Sequence, residues 1–189
     1  MSGVKTGSAS ERLLDAAGEL FYAEGVHSVG IDRVIERAGV AKASLYNTFG
    51  SKESLVAAYL HQRHERTRVR VEAALAGATT PRERILAVFE AQARQMAEPG
   101  YRGCAFVAAS VEAPSGGAVG LASHEYRAWL RGLFAGPARE LGVAQPDELA
   151  RRLHLIYDGA SIAGWMDSDH DAAAEARAAA ETLIDAAAR

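Results

Sequence analysis

Apolar residues recur at the spacing of an α-helix along most of this 189-residue chain. In the segment 31–38, for example, Ile31, Val34, Ile35 and Ala38 form one apolar stripe on a helix. Similar segments follow one another, separated by glycines, prolines or capping serines, and no segment sustains the alternation of a strand. The pattern therefore predicts an all-α fold of about nine helices.

Several of the predicted helices begin and end at clear signals. Ser8 followed by Glu11 forms a capping box for the first helix, and Gly25 ends that helix. Ser51 caps a long fourth helix. A kink or break is predicted at Gly136-Pro137, because proline lacks the N–H that a helix interior needs. The remaining helices are predicted at about 82–97, 118–141, 146–166 and 172–188, with a compact apolar segment at 103–113.

The segment 31–49 has the pattern of a helix-turn-helix. Gly39 can take the positive φ that ends one helix and turns the chain sharply. Val40 fills the corner, while Leu45 and Phe49 attach the next helix to the same small core. The positions left facing outward are Lys42, Ala43, Ser44, Tyr46 and Asn47. This arrangement is typical of a helix that reads the major groove of DNA.

Residues 38–53, Ala-Gly-Val-Ala-Lys-Ala-Ser-Leu-Tyr-Asn-Thr-Phe-Gly-Ser-Lys-Glu, resemble the amino-terminal domain of the TetR family of bacterial transcriptional regulators. The family motif runs roughly Ala-Gly-Val, a few recognition residues, Leu-Tyr, then Phe and Lys, and each fixed position is met here. One position departs from the family: Gly30 stands where serine or threonine often opens the second helix. Glycine offers no hydroxyl to a phosphate, a contact that Ser28 could partly replace.

The resemblance implies two functional regions. Residues 1–52 are expected to form a helix-turn-helix DNA-binding domain, and residues 53–189 an effector-binding and dimerisation domain. The segment 103–113 is similar to the sixth helix of many such regulators, which helps to wall the effector pocket. The expected activity is that of a ligand-responsive repressor, released from its operator by a small apolar molecule.

The charge distribution agrees with a DNA-binding amino-terminal region. The whole chain carries a net charge of −3. Residues 1–70 hold 10 Lys and Arg against 8 Asp and Glu, whereas residues 71–189 hold 11 against 16. The positive balance therefore lies in the region of the helix-turn-helix.

Lys42, Ser44, Tyr46, Asn47 and Lys52 are the predicted DNA contacts, with Ala43 beside them on the same helix face. Lysine neutralises phosphate charge, and the tyrosine hydroxyl can donate to a phosphate oxygen. The side chains of Asn47 and Ser44 have the hydrogen-bonding groups that read base edges. The structural alternative is a solvated face on a small helical bundle.

The larger region offers candidates for two further sites. An effector pocket is expected to have mostly apolar walls with a few polar groups, and its predicted residues are Phe89, Met96, Phe106, Ser110, Tyr126, Trp129 and Tyr157. A homodimer interface is predicted on the eighth and ninth helices, where small residues allow close approach, at Gly159, Ala160, Ala163, Gly164, Ala176, Ala180, Leu183 and Ile184. Each of the seven pocket residues also suits an ordinary core position.

No pattern in the sequence supports an enzyme, a metal site or a cofactor. His61 and His64 lie three residues apart but have no further ligand at a suitable spacing. Cys104 is the only cysteine, which excludes an intrachain disulfide and fits a reducing compartment. No apolar run could span a membrane and no signal peptide is evident, so we expect a cytoplasmic protein. The alternatives that stay open are an effector-independent architectural or activator protein and, with less support, an α-helical enzyme.

Overall fold

The computed structural model describes residues 7–113, 116–169 and 171–188 of the chain. These residues contain no β-strand and form nine helices, as predicted, whose bounds are α1 Ala9–Glu24, α2 Ile31–Ala38, α3 Lys42–Phe49, α4 Lys52–Leu75, α5 Pro81–Met96, α6 Ala105–Glu112, α7 Gly117–Glu140, α8 Pro146–Met166 and α9 Ala172–Ala187. Within the described residues, no helix is both long enough and apolar enough to cross a bilayer.

The predicted capping signals are confirmed. The Ser8 hydroxyl accepts a hydrogen bond from the Glu11 N–H at 3.2 Å, and the Glu11 carboxylate accepts one from the Ser8 N–H at 2.7 Å. Thr80 and Glu83 form a second capping box at the start of α5. Each box satisfies N–H groups that have no partner inside the helix, and so fixes where the helix begins.

The break considered at Gly136-Pro137 does not occur. α7 continues to Glu140, with Pro137 inside its last turn. A proline there removes only one hydrogen bond near the helix end. Phe134 and Ala138 are fully buried on either side of it, so packing holds the helix across the proline.

The described residues divide into two compact units. The first unit contains those of Met1–His64 and Ala105–His124, and the second unit contains Glu65–Cys104 and those of Glu125–Arg189. The first unit therefore includes the start of α4, α6 and the start of α7 as well as the helix-turn-helix. This division follows packing, and the predicted functional division at residue 52 stays a prediction.

Each unit has its own core. In the first unit, α1 packs on α2 and α3, and Leu13, Ala17, Val34, Ala38 and Leu45 have no exposed area. In the second unit, α9 packs on α5 and α8. The burial of apolar surface is the main force that holds such helices together.

Candidate DNA-binding surface, effector region and dimer face

The turn between α2 and α3 has the predicted geometry. Gly39 lies in the left-handed region at φ 66° and ψ 44°. Its N–H and that of Val40 both donate to the Ile35 carbonyl, at 2.9 and 3.3 Å. A side chain at Gly39 would be strained in this conformation, so the glycine sets the angle at which α3 leaves the turn.

α3 is held by its apolar side and exposes its polar side. Leu45 is fully buried, Phe49 is half-buried, and Ser44 is half-buried as well. The exposed residues of the helix include Lys42, Ala43, Tyr46 and Asn47, which we call the reading surface. Ser44 has less access to a ligand than the other predicted contacts on α3.

Three cationic side chains on α2 and α3 form ion pairs that the sequence did not predict. Lys42 Nζ lies 2.9 Å from Asp32 Oδ1, and this hydrogen bond raises the pKa of the Lys42 ammonium. Arg33 and Arg37 on α2 pair with Glu24 and Glu19 on α1, at 2.5 and 2.7 Å. The spacing of these residues gave no periodic signal, because each pair joins two different helices.

Lys52, at the start of α4, contacts the backbone of the turn between α1 and α2. Its half-buried ammonium donates to the His27 carbonyl at 3.3 Å. The His27 N–H donates to the Glu112 carboxylate, at the end of α6, at 2.6 Å. Gly25 leaves room for that carboxylate, because a Cβ there would come within 2.6 Å of Glu112 Oε1. The His27 peptide is thus held from both sides.

A cavity of about 400 Å³ adjoins this contact within the first unit. Its walls include Val26, Val56 and Val119 together with the charged side chains of Lys52, Glu53 and Glu112. Glu53 also accepts a hydrogen bond from the Ala118 N–H at 2.9 Å, at the start of α7. The carboxylates of Glu53 and Glu112 therefore both accept hydrogen bonds from backbone N–H groups beside the cavity.

The seven residues predicted for an effector pocket are divided between the two compact units. Phe106 and Ser110 belong to the first unit, where Ser110 is exposed and its hydroxyl donates to that of Ser123 at 3.0 Å. The other five belong to the second unit, which contains Phe89, Met96, Tyr126, Trp129 and Tyr157. The effector pocket of seven residues therefore stays a prediction, because periodicity identifies buried faces but not which faces line one cavity.

Aromatic rings fill the core of the second unit. Phe89 packs against Phe134 and Tyr157, with ring centroids 5.5 and 6.0 Å away, and Tyr126 packs against Trp129 at 5.8 Å. Burial raises the pKa of the Tyr126 and Tyr157 hydroxyls above their usual value. These phenols therefore stay protonated at neutral pH and can donate hydrogen bonds inside the unit.

A second cavity, of about 360 Å³, lies in the second unit. Of the seven predicted effector residues, Phe89 and Met96 line it, together with Ala93, Glu90 and Arg177. The Arg177 guanidinium lies 3.6 Å from the Glu90 carboxylate. The cavity thus combines apolar walls with one ion pair, a combination typical of small-molecule sites.

The small residues predicted for a dimer interface are mostly used inside the chain. Ala160, Ala176, Ala180 and Ile184 are at most 6% exposed, and Met96 packs directly on Gly164. Ala163 and Leu183 are half-buried, and Gly159 is exposed. The four most buried side chains have almost no area left for a partner, so their assignment to the interface is revised.

The opposite side of α8 carries large exposed apolar side chains. Leu155 and Met166 are each 70% exposed, Ile162 is 46% exposed and Trp165 is 48% exposed. Leu155, Gly159, Ile162 and Met166 recur at helical spacing, and with Trp165 we call them the α8 stripe. The sequence did not predict this stripe, because α8 is apolar on several sides.

The fold and the reading surface define a helix-turn-helix DNA-binding regulator. Residues 13–59 match the family described as bacterial regulatory proteins, tetR family. A TetR-family transcriptional regulator from Streptomyces coelicolor superimposes with a TM-score of 0.90 at 32% identity, with 96% of each chain covered. A TetR-type regulator from Streptomyces avermitilis superimposes with a TM-score of 0.83 at 36% identity, with 96% of this chain and 98% of the other covered.

The chain belongs to the TetR family of bacterial transcriptional regulators. It is therefore a DNA-binding transcriptional regulator rather than an enzyme. Curated relatives match only in part: the transcriptional activator FasR of Mycolicibacterium smegmatis is 40% identical over 80 residues, which cover 42% of this chain and 36% of that protein. The chain spans less than half the length of the curated relatives it matches.

Proposed function

We propose that the protein is a cytoplasmic, homodimeric repressor that a small, largely apolar molecule releases from its operator. The observation that carries the DNA-binding part is the reading surface on α3, held outward by the buried Leu45 and the Gly39 turn. Tyr46 and Lys52 are the proposed phosphate contacts, and Lys42 and Asn47 the proposed base contacts. In this proposal residues 1–52 bind DNA and residues 53–189 bind the effector and a second subunit.

Dimerisation is proposed on the α8 stripe. An operator read by two heads needs half-sites about one helical turn, or a multiple, apart, and this demands a fixed partner. The large exposed side chains of Leu155, Ile162, Trp165 and Met166 supply apolar area that a single chain leaves in water. Exposed Gly159 lies within the same stripe and allows a close approach of helices.

The effector site is proposed at the cavity of the second unit. Phe89, Ala93 and Met96 give it an apolar wall, and the Glu90–Arg177 pair offers a polar contact at one side. An effector acts by binding one conformation of the protein more tightly than the other. The Glu112 contact with the His27 N–H is a bond in the first unit that such a change could break.

The test of the proposal begins with operator selection. Fragments of the source genome that bind the purified protein are sequenced, and the recovered promoter is fused to a reporter gene. We expect lower reporter output when the protein is present and recovery of output with an apolar effector found by screening. Higher output with the protein would instead favour an activator, which is the function of the relative FasR.

The effector site has a matched pair of variants. Ala93→Phe would fill the cavity, whereas Ser110→Phe adds the same ring at an exposed position in the first unit. We expect Ala93→Phe to abolish release by the effector while operator binding persists, and Ser110→Phe to change neither. Equal loss of release in both variants would exclude the cavity as the effector site.

A further inference from the structure

An acidic side chain stands beside the reading surface. Asp32 is the second residue of α2, Lys42 is the first residue of α3, and Asp32 Oδ1 lies 2.9 Å from Lys42 Nζ. The side chains are 83% and 59% exposed, so both charged groups face solvent rather than the core. The turn at Gly39 brings these two helix starts together.

The fold itself gains little from this pair. An exposed ion pair contributes only a small stabilisation, because water screens the two charges. The pairs Arg33–Glu24 and Arg37–Glu19 differ in position, because they join α2 to α1 and leave α3 untouched. Asp32 instead contacts a residue of the reading surface itself, and its effect therefore falls on DNA.

A carboxylate at this position lowers the affinity for DNA in general. Non-specific binding depends almost entirely on phosphate charges neutralised by lysine and arginine. Asp32 offsets the positive charge of Lys42 and repels phosphates within a Debye length of about 10 Å. A residue that weakens binding to every sequence must recover that loss at the correct sequence if the protein is to bind its operator tightly.

The base code of the major groove offers such a recovery. Guanine presents the acceptors N7 and O6, and its partner cytosine presents the donor N4. In a G·C pair the O6 and N4 groups lie next to each other, since they bond to one another. A lysine donor that bridges N7 and O6, with an aspartate acceptor beside it, matches the order acceptor, acceptor, donor of the G·C edge. The A·T edge presents the order acceptor, donor, acceptor, because adenine N6 lies between adenine N7 and thymine O4.

We propose that Lys42 and Asp32 together read one G·C base pair, with Lys42 donating to guanine and Asp32 accepting from cytosine N4. Asp32 is then a specificity-determining residue: it lowers affinity for all other DNA and restores it at this base pair. The inference rests on the proposed entry of α3 into the major groove.

The test compares Asp32→Asn with Glu36→Gln, which removes the same charge from another exposed position of α2. Dissociation constants are measured for the selected operator and for a scrambled duplex of equal length over a series of salt concentrations. We expect Asp32→Asn to tighten binding to the scrambled duplex about threefold to tenfold and to lower the operator preference at least about tenfold. Glu36→Gln should change the dissociation constants of both duplexes by a similar, small factor.

An operator substitution sharpens the test. Replacing the critical G·C pair by A·T should weaken wild-type binding about tenfold. It should weaken binding of Asp32→Asn by a clearly smaller factor, because that variant keeps only the Lys42 contact to guanine. If Asp32→Asn keeps the wild-type operator preference, or weakens both duplexes alike while its melting temperature falls, Asp32 only supports the start of α2 and the inference is overturned. A wild-type protein that binds no DNA in a salt-dependent way would overturn the proposed function as well.

Discussion

The two units of the molecule handle polar groups differently. Among the described residues, the buried polar side chains of the second unit are Thr67, Gln92, His154 and Ser161, whereas that of the first unit is Ser123. The Gln92 amide donates to the Tyr157 carbonyl at 2.6 Å and to the Ser161 hydroxyl at 2.9 Å. The first unit instead carries exposed ion pairs that join α1 to α2 and α2 to α3.

This difference agrees with the role proposed for each unit. DNA presents charge and hydrogen-bonding groups to a protein surface, so a core that fixes the direction of α3 is sufficient. A buried ligand needs polar groups inside the protein, and a buried polar group is costly unless it is bonded. The hydrogen-bonded aromatic interior of the second unit fits such a role.

The largest effect is expected from breaking the aromatic core of the second unit. Phe89 is 1% exposed and contacts both Phe134 and Tyr157. Phe89→Ala should lower the free energy of unfolding by about 3–5 kcal/mol, because it removes a buried ring and leaves a cavity. Urea denaturation measures this. Leu121→Ala, at a position that is 65% exposed, should change it by less than about 0.5 kcal/mol.

Charged substitutions in the α8 stripe should prevent dimerisation without unfolding the chain. Leu155→Glu combined with Ile162→Glu places charges on side chains that are 70% and 46% exposed. Sedimentation should give a folded monomer whose operator affinity is at least about 100-fold weaker, because two linked heads bind far better than one. Val111→Glu, at an 82% exposed position in the first unit, should stay dimeric. If the double variant is still a dimer, the α8 stripe is not the dimer interface.

Two substitutions near α3 separate general affinity from base preference. Lys52→Ala should weaken binding to all duplexes alike and reduce the salt slope by about 1, because one phosphate contact is lost. Asn47→Ala should instead alter the preference at one base position by about 1–3 kcal/mol. Titrations of operator variants at several salt concentrations measure both. The assignment of roles is wrong if Lys52→Ala changes only the base preference.

Loss of the hydrogen bond between the His27 N–H and Glu112 should have a local effect in the first unit. Glu112→Gln replaces the carboxylate that accepts the His27 N–H at 2.6 Å by a weaker neutral acceptor. A loss of about 1 kcal/mol in this bond should speed hydrogen exchange of the His27 amide about fivefold. Glu53→Gln should act on the Ala118 amide instead. Unchanged exchange at His27 would mean that Glu112 does not hold the turn.

The smallest effect concerns acid stability in the second unit. Hydrogen bonds from Thr80 and Thr79 to the Glu83 carboxylate lower its pKa from 4.5 to about 2. Because the folded pKa is the lower one, the stabilisation is complete above about pH 4.5 and is lost as the pH falls towards 2. The melting temperature of Glu83→Gln should therefore be slightly lower than that of the wild type at pH 7, and the two should converge near pH 2. A constant difference would contradict the assignment.

Local patterns in the sequence determined much of the structure. The helical spacing of apolar residues, the Ser8 capping box and the left-handed Gly39 depend on neighbours a few residues away, and each is confirmed. The family resemblance is local as well, since residues 38–53 run from the end of α2 through the turn and α3 to the start of α4. The candidate contacts on α3 were exposed as expected, apart from the half-buried Ser44.

Only the tertiary structure decided which faces are used and which charges meet. α8 is apolar on several sides, and packing by α5 and α9 selected the face of Ala160 for the core and left Leu155 and Ile162 in water. The pairing of Lys42 with Asp32 likewise depends on where the Gly39 turn places two helix starts. Periodicity within a helix reports that a face is apolar, but long-range contacts between helices determine what that face touches.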